Sequence, residues 1–210
     1  MQFKDHSNLK GKHAFLSASK CTWLGWTNEE FIERFFNQYS TTIGELLHKL
    51  AEKMIRKRIP LGKRDKTVIA LFLMDNGIPR YLVKPEKWVS NLSNYIEDGI
   101  KFGMETEVLL YYSDFCFGTA DSISFDNNIL RIHDLKTGTT KVHMEQLLIY
   151  AALFCLQESI DPHDISFELR IYQGNDVIYH NPEPDEVKKF MEIIIDRNDY
   201  ITNFILKKYK

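Results

Sequence analysis

The spacing of apolar and polar positions changes period several times along the chain, and each change marks an element. Leu47, Leu50, Ala51 and Met54 follow the i, i+3, i+4, i+7 spacing of a helix with one face toward a core. Thr42-x-x-Glu45 just upstream reads as a capping box that starts this helix. A shorter helix is expected before it, from Glu29 to Tyr39. Residues 67–74 are apolar enough for helix or strand, Asn76-Gly77-Ile78-Pro79 breaks the run, and a further helix is expected over about 87–102. From Glu105 the period falls to two, with Glu107, Leu109 and Tyr111 alternating against Val108, Leu110 and Tyr112. Met144 to Gln157 is apolar on nearly every side, as in a buried helix. Phe167, Leu169 and Ile171 then mark another strand, and Val177 to Tyr179 can pair back on it. Val187, Phe190, Met191 and Ile194 face inward on a last amphipathic helix, about 184–206.

The densest stretch runs from Gly118 to Tyr150. One strand carries Asp121, Ile123 and Phe125 on a shared face, and Asp126-Asn127-Asn128 forms a turn. A second strand puts Leu130, Ile132, Asp134 and Lys136 on one face, apolar first and charged at its exit. Pairing of the two strands can bring Asp121 and Asp134 together, depending on register. Two carboxylates converging beside a lysine suit a hard divalent cation and phosphodiester hydrolysis, because such a cation takes oxygen ligands and can activate a bound water. The same residues would also serve as ordinary charges on a surface hairpin.

Composition narrows the class. The chain has 210 residues and a formal charge of −2, so it is no general coat for nucleic acid. A local basic track is still compatible, since charge acts over about 8 Å at physiological salt. Lys49, Lys53, Arg56, Lys57, Arg58, Lys63, Arg64 and Lys66 form such a run against only Glu52 and Asp65; Lys53, Arg56 and Lys57 are the candidate DNA contacts, with a solvated helix face as the alternative. No apolar run approaches the roughly 20 residues of a membrane span. The polar opening is not read as a secretory signal, and Cys21, Cys116 and Cys155 lack C-x-x-C spacing, so a reducing cytoplasmic setting is expected. Trp23 and Trp26 are read as packing residues, with base stacking as the alternative.

In this order, Gly44-x-x-x-His48, Gly118-x-x-Asp121, Asp134-x-Lys136-Thr137-Gly138 and Gln146-x-x-x-Tyr150 resemble the PD-(D/E)XK nucleases. The similarity is to the RecB-like branch of helicase-linked nucleases, CRISPR adaptation nucleases and phage recombination exonucleases, and it spans about residues 40–172. Leu16-Ser17-Ala18-Ser19-Lys20 is similar, more weakly, to the serine-bearing entry of such domains. The resemblance implies one α/β domain over residues 1–210, with a restriction-endonuclease-like mixed sheet in αβββαβ order and a helical insertion over about 67–102. It implies Mg²⁺ or Mn²⁺ held by His48, Asp121, Asp134 and the Leu135 carbonyl. Glu107 is a further candidate ligand, with Glu105 as its rival. Lys136 would act on the attacking water, and Gln146 and Tyr150 would steer the scissile strand.

The implied activity is that of a stand-alone DNA exonuclease in recombination, repair or phage DNA processing. An endonuclease of the same fold and a catalytically silent DNA-binding module are the alternatives. Some relatives carry an iron–sulfur cluster on four cysteines; with three scattered cysteines, no cluster is expected here. No G-x-x-x-x-G-K-[ST] occurs, so ATP-driven unwinding would need a partner; a helicase or a single-strand annealing protein is the candidate protein partner.

Overall fold

The computed structural model describes residues 4–11, 14–62 and 65–208; Lys63 and Arg64 of the basic run lie outside them. The chain divides into two compact units, residues 1–43 and 44–210. In the first, Phe15 packs its ring against Trp26, Phe31 and Phe35 at centroid distances of 5.7, 5.4 and 5.4 Å. Trp23 donates its indole N–H to the Ser17 carbonyl. Trp26 thus has ring partners inside this unit, and Trp23 a hydrogen-bond partner.

Helix α1, Asn28–Lys57, is one continuous helix that supplies residues to both units. The expected break before Thr42 is absent. The capping box sits at its start instead, where Thr27 and Glu30 exchange backbone-to-side-chain hydrogen bonds of 2.9 and 3.2 Å. Thr42-x-x-Glu45 has the same spacing inside the helix, where the backbone N–H groups already have partners.

In the second unit, α2 (Lys66–Asp75) and α3 (Val89–Lys101) precede strands β1 (Glu105–Ser113), β2 (Cys116–Asp126) and β3 (Ile129–Lys136). Helix α4 (Glu145–Glu158) crosses to β4 (Ser166–Gln173), followed by β5 (Asp176–His180) and α5 (Pro184–Tyr200). The sheet order is β1-β2-β3-β4-β5, parallel only between β3 and β4. This mixed, mostly antiparallel sheet flanked by helices is a restriction-endonuclease-like α/β fold. Asn127 and Asn128 join β2 to β3 with φ of 50° and 58°, the left-handed pair that a two-residue type I′ hairpin requires and asparagine tolerates.

Two layers cover the sheet. On one face Leu130, Ile132, Leu169 and Ile171 pack with Leu147, Leu148 and Ala151 of α4 and with Val187 and Ile194 of α5. On the other lies α3, drawn from the stretch read from the sequence as a helical insertion. Tyr95 stacks edge-on against Tyr172 at 5.3 Å, and Asn91 donates to the Tyr172 carbonyl at 3.0 Å. Asp98 accepts from both Arg170 and Tyr172 at 2.6 Å, while Arg170 also pairs with Glu168. The Tyr172 hydroxyl lies 3.3 Å from His133 Nδ1. Burial, helped by Arg170 and Arg131, lowers the His133 pKa well below its ordinary value, so a neutral imidazole fills this site beside Asp134. The network fixes β3 and β4 at the end of the sheet where the charged residues emerge.

Candidate metal centre

The register of the hairpin answers the question that alternation alone left open. The last paired positions are Ser122 and His133, so Asp121 and Asp134 stand opposite each other one step further on. On the other side Thr106 pairs with Ser122 and Val108 with Ala120, which places Glu107 opposite Asp121. Glu107, Asp121 and Asp134 thus form a row across three adjacent strands. Like charges directly opposed on a sheet destabilise it, so this row needs compensation.

Both strands are irregular at this point. Glu107 has φ of 54°, a left-handed conformation that a non-glycine residue in a strand adopts only at a cost. In β2 the residues packed toward α4 are Ile123 and Phe125, then Ala120 and Gly118. The face therefore switches parity around Asp121, which does not share the α4-facing side of Ile123 and Phe125 as strict alternation implied. The freed carboxylate accepts the Leu135 backbone N–H at 3.0 Å through Oδ2, and the same oxygen lies 3.3 Å from His48 Nδ1.

One atom each from His48, Glu107 and Asp121 lies within 4.8 Å of the others, the one such grouping of metal-ligating side chains among the described residues. Helix α1 supplies His48, β1 supplies Glu107 and β2 supplies Asp121. Of the two rival glutamates, Glu107 is the one that joins the group. Burial, and then Asp134, raise the Asp121 pKa above its ordinary value, against the opposing pull of His48 and Lys136. Desolvation, then Asp121 and Glu52, raise that of Glu107. Glu52, one turn after His48, was not singled out from the sequence; its i, i+4 spacing from the histidine was the available signal. Carboxylate oxygens and an imidazole, with too little positive charge among them, are a donor set that fits a divalent cation.

Asp134 makes different contacts. It is buried, and both of its oxygens lie 3.0 Å from Lys136 Nζ. Lys136 reaches on to Gln146 Oε1 at 3.1 Å, and Gln146 Nε2 donates to the Tyr150 hydroxyl at 3.3 Å. The spacing of Gln146 and Tyr150 by one helical turn makes this chain of bonds possible. Two glycines allow close approaches around this strand end. A Cβ on Gly118 would fall 2.8 Å from Tyr150 Cε1, and one on Gly44 would fall 2.9 Å from Thr137 Oγ1.

The basic run is only partly free. Arg56 donates to the Thr106 hydroxyl at 2.9 Å and to its carbonyl at 3.2 Å, and it pairs with Glu52. It ties the end of α1 to the strand that carries Glu107. Lys53 and Lys57 are exposed, with no ion pair among the described residues.

Comparison with known proteins returned no matching family model and no matching curated protein. The geometry, a mixed sheet flanked by helices with a clustered His48–Glu107–Asp121 triad, is consistent with a PD-(D/E)XK-like, metal-binding fold in general.

Proposed function

We propose that this chain is a Mg²⁺- or Mn²⁺-dependent deoxyribonuclease of the RecB-like kind that works as a stand-alone exonuclease. The observation that carries the proposal is the row Glu107–Asp121–Asp134, with His48 against Asp121 and Lys136 against Asp134. His48, Glu107 and Asp121 would hold the cation, with Asp134 and the Leu135 carbonyl at its border. The bound cation would supply charge neutralisation at the phosphate and would lower the pKa of a bound water so that it gives up a proton and can attack.

The remaining work falls to the chain's own groups. The Leu135 N–H fixes the Asp121 carboxylate. Asp134 and Gln146 hold the Lys136 ammonium between them, so its charge is positioned before substrate arrives. From there it orients the attacking water and stabilises charge that develops on the phosphoryl oxygens. Tyr150, bonded to Gln146, faces the strand to be cut. Lys53 and Lys57, exposed and without an ion pair among the described residues, would meet the DNA backbone; a helicase would supply unwound ends, and a single-strand annealing protein is the other candidate partner.

The test is incubation of purified protein with end-labelled linear DNA and with closed circular DNA, with and without Mg²⁺ or Mn²⁺. Metal-dependent loss of linear DNA, with circles spared, is expected. Cleavage of circles would make the protein an endonuclease, and no cleavage of either would refute the nuclease reading.

A further inference from the structure

The hairpin that carries Glu107 and Asp121 extends past them with an exposed surface that ends in two aromatic rings. Leu109 pairs with Thr119 and Tyr111 with Phe117, and all four are exposed, Tyr111 by 46 % and Phe117 by 58 %. Exposure alternates along β1, and Glu107, Leu109 and Tyr111 are all exposed. At a strand rise of about 3.4 Å per residue, the Tyr111–Phe117 pair lies roughly 14 Å from Glu107 and Asp121. Phe115 is exposed at the connecting turn, and the Tyr111 hydroxyl donates to Asp114 at 2.9 Å, which holds the ring in place. No lysine or arginine occurs between Glu105 and Asp126.

We infer that Tyr111 and Phe117 form a platform on which unpaired bases of a single-stranded nucleic acid stack beside the scissile bond. The inference rests on the nuclease reading and adds the substrate class. A strand whose phosphodiester lies at the metal centre must carry its neighbouring nucleotides over adjacent sheet positions, and in this direction those positions are rings. A hairpin without lysine or arginine offers phosphates no cation of its own, but planar rings bind bases of any sequence once these are unstacked. Bases inside a duplex offer no free face, so the platform favours single strands or frayed ends.

The experiment measures binding of labelled oligo(dT) and of a blunt duplex by fluorescence anisotropy, in EDTA so that no cleavage intervenes. Variants are Tyr111→Ala/Phe117→Ala and the ring-preserving pair Tyr111→Phe/Phe117→Trp. Stacking is worth about 1–3 kcal/mol per base, so removing each ring weakens oligo(dT) binding about 5- to 150-fold. The expected result is that weakening, no change in the salt slope, little effect on the duplex, recovery with the ring-preserving pair and unaltered Mn²⁺ binding. Unchanged oligo(dT) affinity, with metal-dependent cleavage still present, overturns the platform and leaves the nuclease reading standing. The same outcome accompanied by loss of a wild-type dimer in light scattering makes the surface a contact between copies and equally overturns the platform. Wild-type protein that neither binds nor cuts DNA overturns the nuclease reading as well.

Discussion

Replacing Glu107 separates what this residue costs the fold from what it contributes to the site. Its φ of 54° places a side-chain-bearing residue in the left-handed region within a strand, a conformation costing about 1–2 kcal/mol. Its carboxylate also opposes Asp121. Glu107→Gly removes both penalties and loses some chain entropy, Glu107→Ala removes the charge and keeps the backbone cost, and Glu107→Gln removes the charge alone. In EDTA at pH 7 the glycine variant should exceed the alanine variant by about 1 kcal/mol in urea unfolding, or roughly 2–4 °C in Tm for a unit of this size.

The charge part depends on pH. Because the folded protein raises the pKa of Glu107 above the ordinary 4.5, the carboxylate is protonated more readily folded than unfolded. Its contribution to stability is therefore lost as pH climbs from about 4.5 through the raised folded value. The gain of Glu107→Gln over wild type should be small at pH 4 and larger at pH 7. All three variants should bind Mn²⁺ at least tenfold more weakly. A glycine variant less stable than the alanine variant, or variants with wild-type Mn²⁺ affinity, would refute this reasoning.

Lys136→Ala should lower kcat about 100-fold, the scale of one preorganised electrostatic group, with little change in DNA affinity. It should also destabilise the fold by about 3 kcal/mol by leaving Asp134 buried without a counter-charge; Asp134→Ala in the same chain should recover part of that, read by urea unfolding. Neutralising Lys53 and Lys57 should weaken DNA binding of every sequence alike and flatten the log–log salt dependence by up to about 0.9 for each duplex phosphate that the protein ceases to neutralise. Arg56→Ala should instead lower Tm, because its guanidinium holds Thr106; an unchanged salt slope for the lysine pair or an unchanged Tm for Arg56→Ala would contradict these roles.

Sequence pattern revealed the sheet and the charged strand end better than it revealed the helices or the exact donor set. Period-two stretches located the strands around Leu109, Ile132 and Leu169, and Asn127-Asn128 marked the tight turn, because both signals are local. The Lys136–Gln146–Tyr150 chain follows from one strand end and one helical turn, again local features. Three things depended on tertiary structure. Thr42-x-x-Glu45 looked like a helix start because a capping box and an interior i, i+3 pair are identical in sequence. Glu105 and Glu107 share strand parity, so only the pairing register and the left-handed backbone distinguished them. The Asp98–Arg170–Tyr172–His133 network joins residues up to 74 positions apart, beyond any periodicity.

The most direct test is calorimetric titration of Mn²⁺ into wild-type protein, His48→Ala and Asp121→Ala, with circular dichroism to verify that each remains folded. Wild type should bind the ion at a specific site, His48→Ala should bind it at least tenfold more weakly, and Asp121→Ala, which loses the central carboxylate of the row, should show no specific binding. Mn²⁺ binding of equal strength in all three proteins would mean that His48, Glu107 and Asp121 do not form a metal centre.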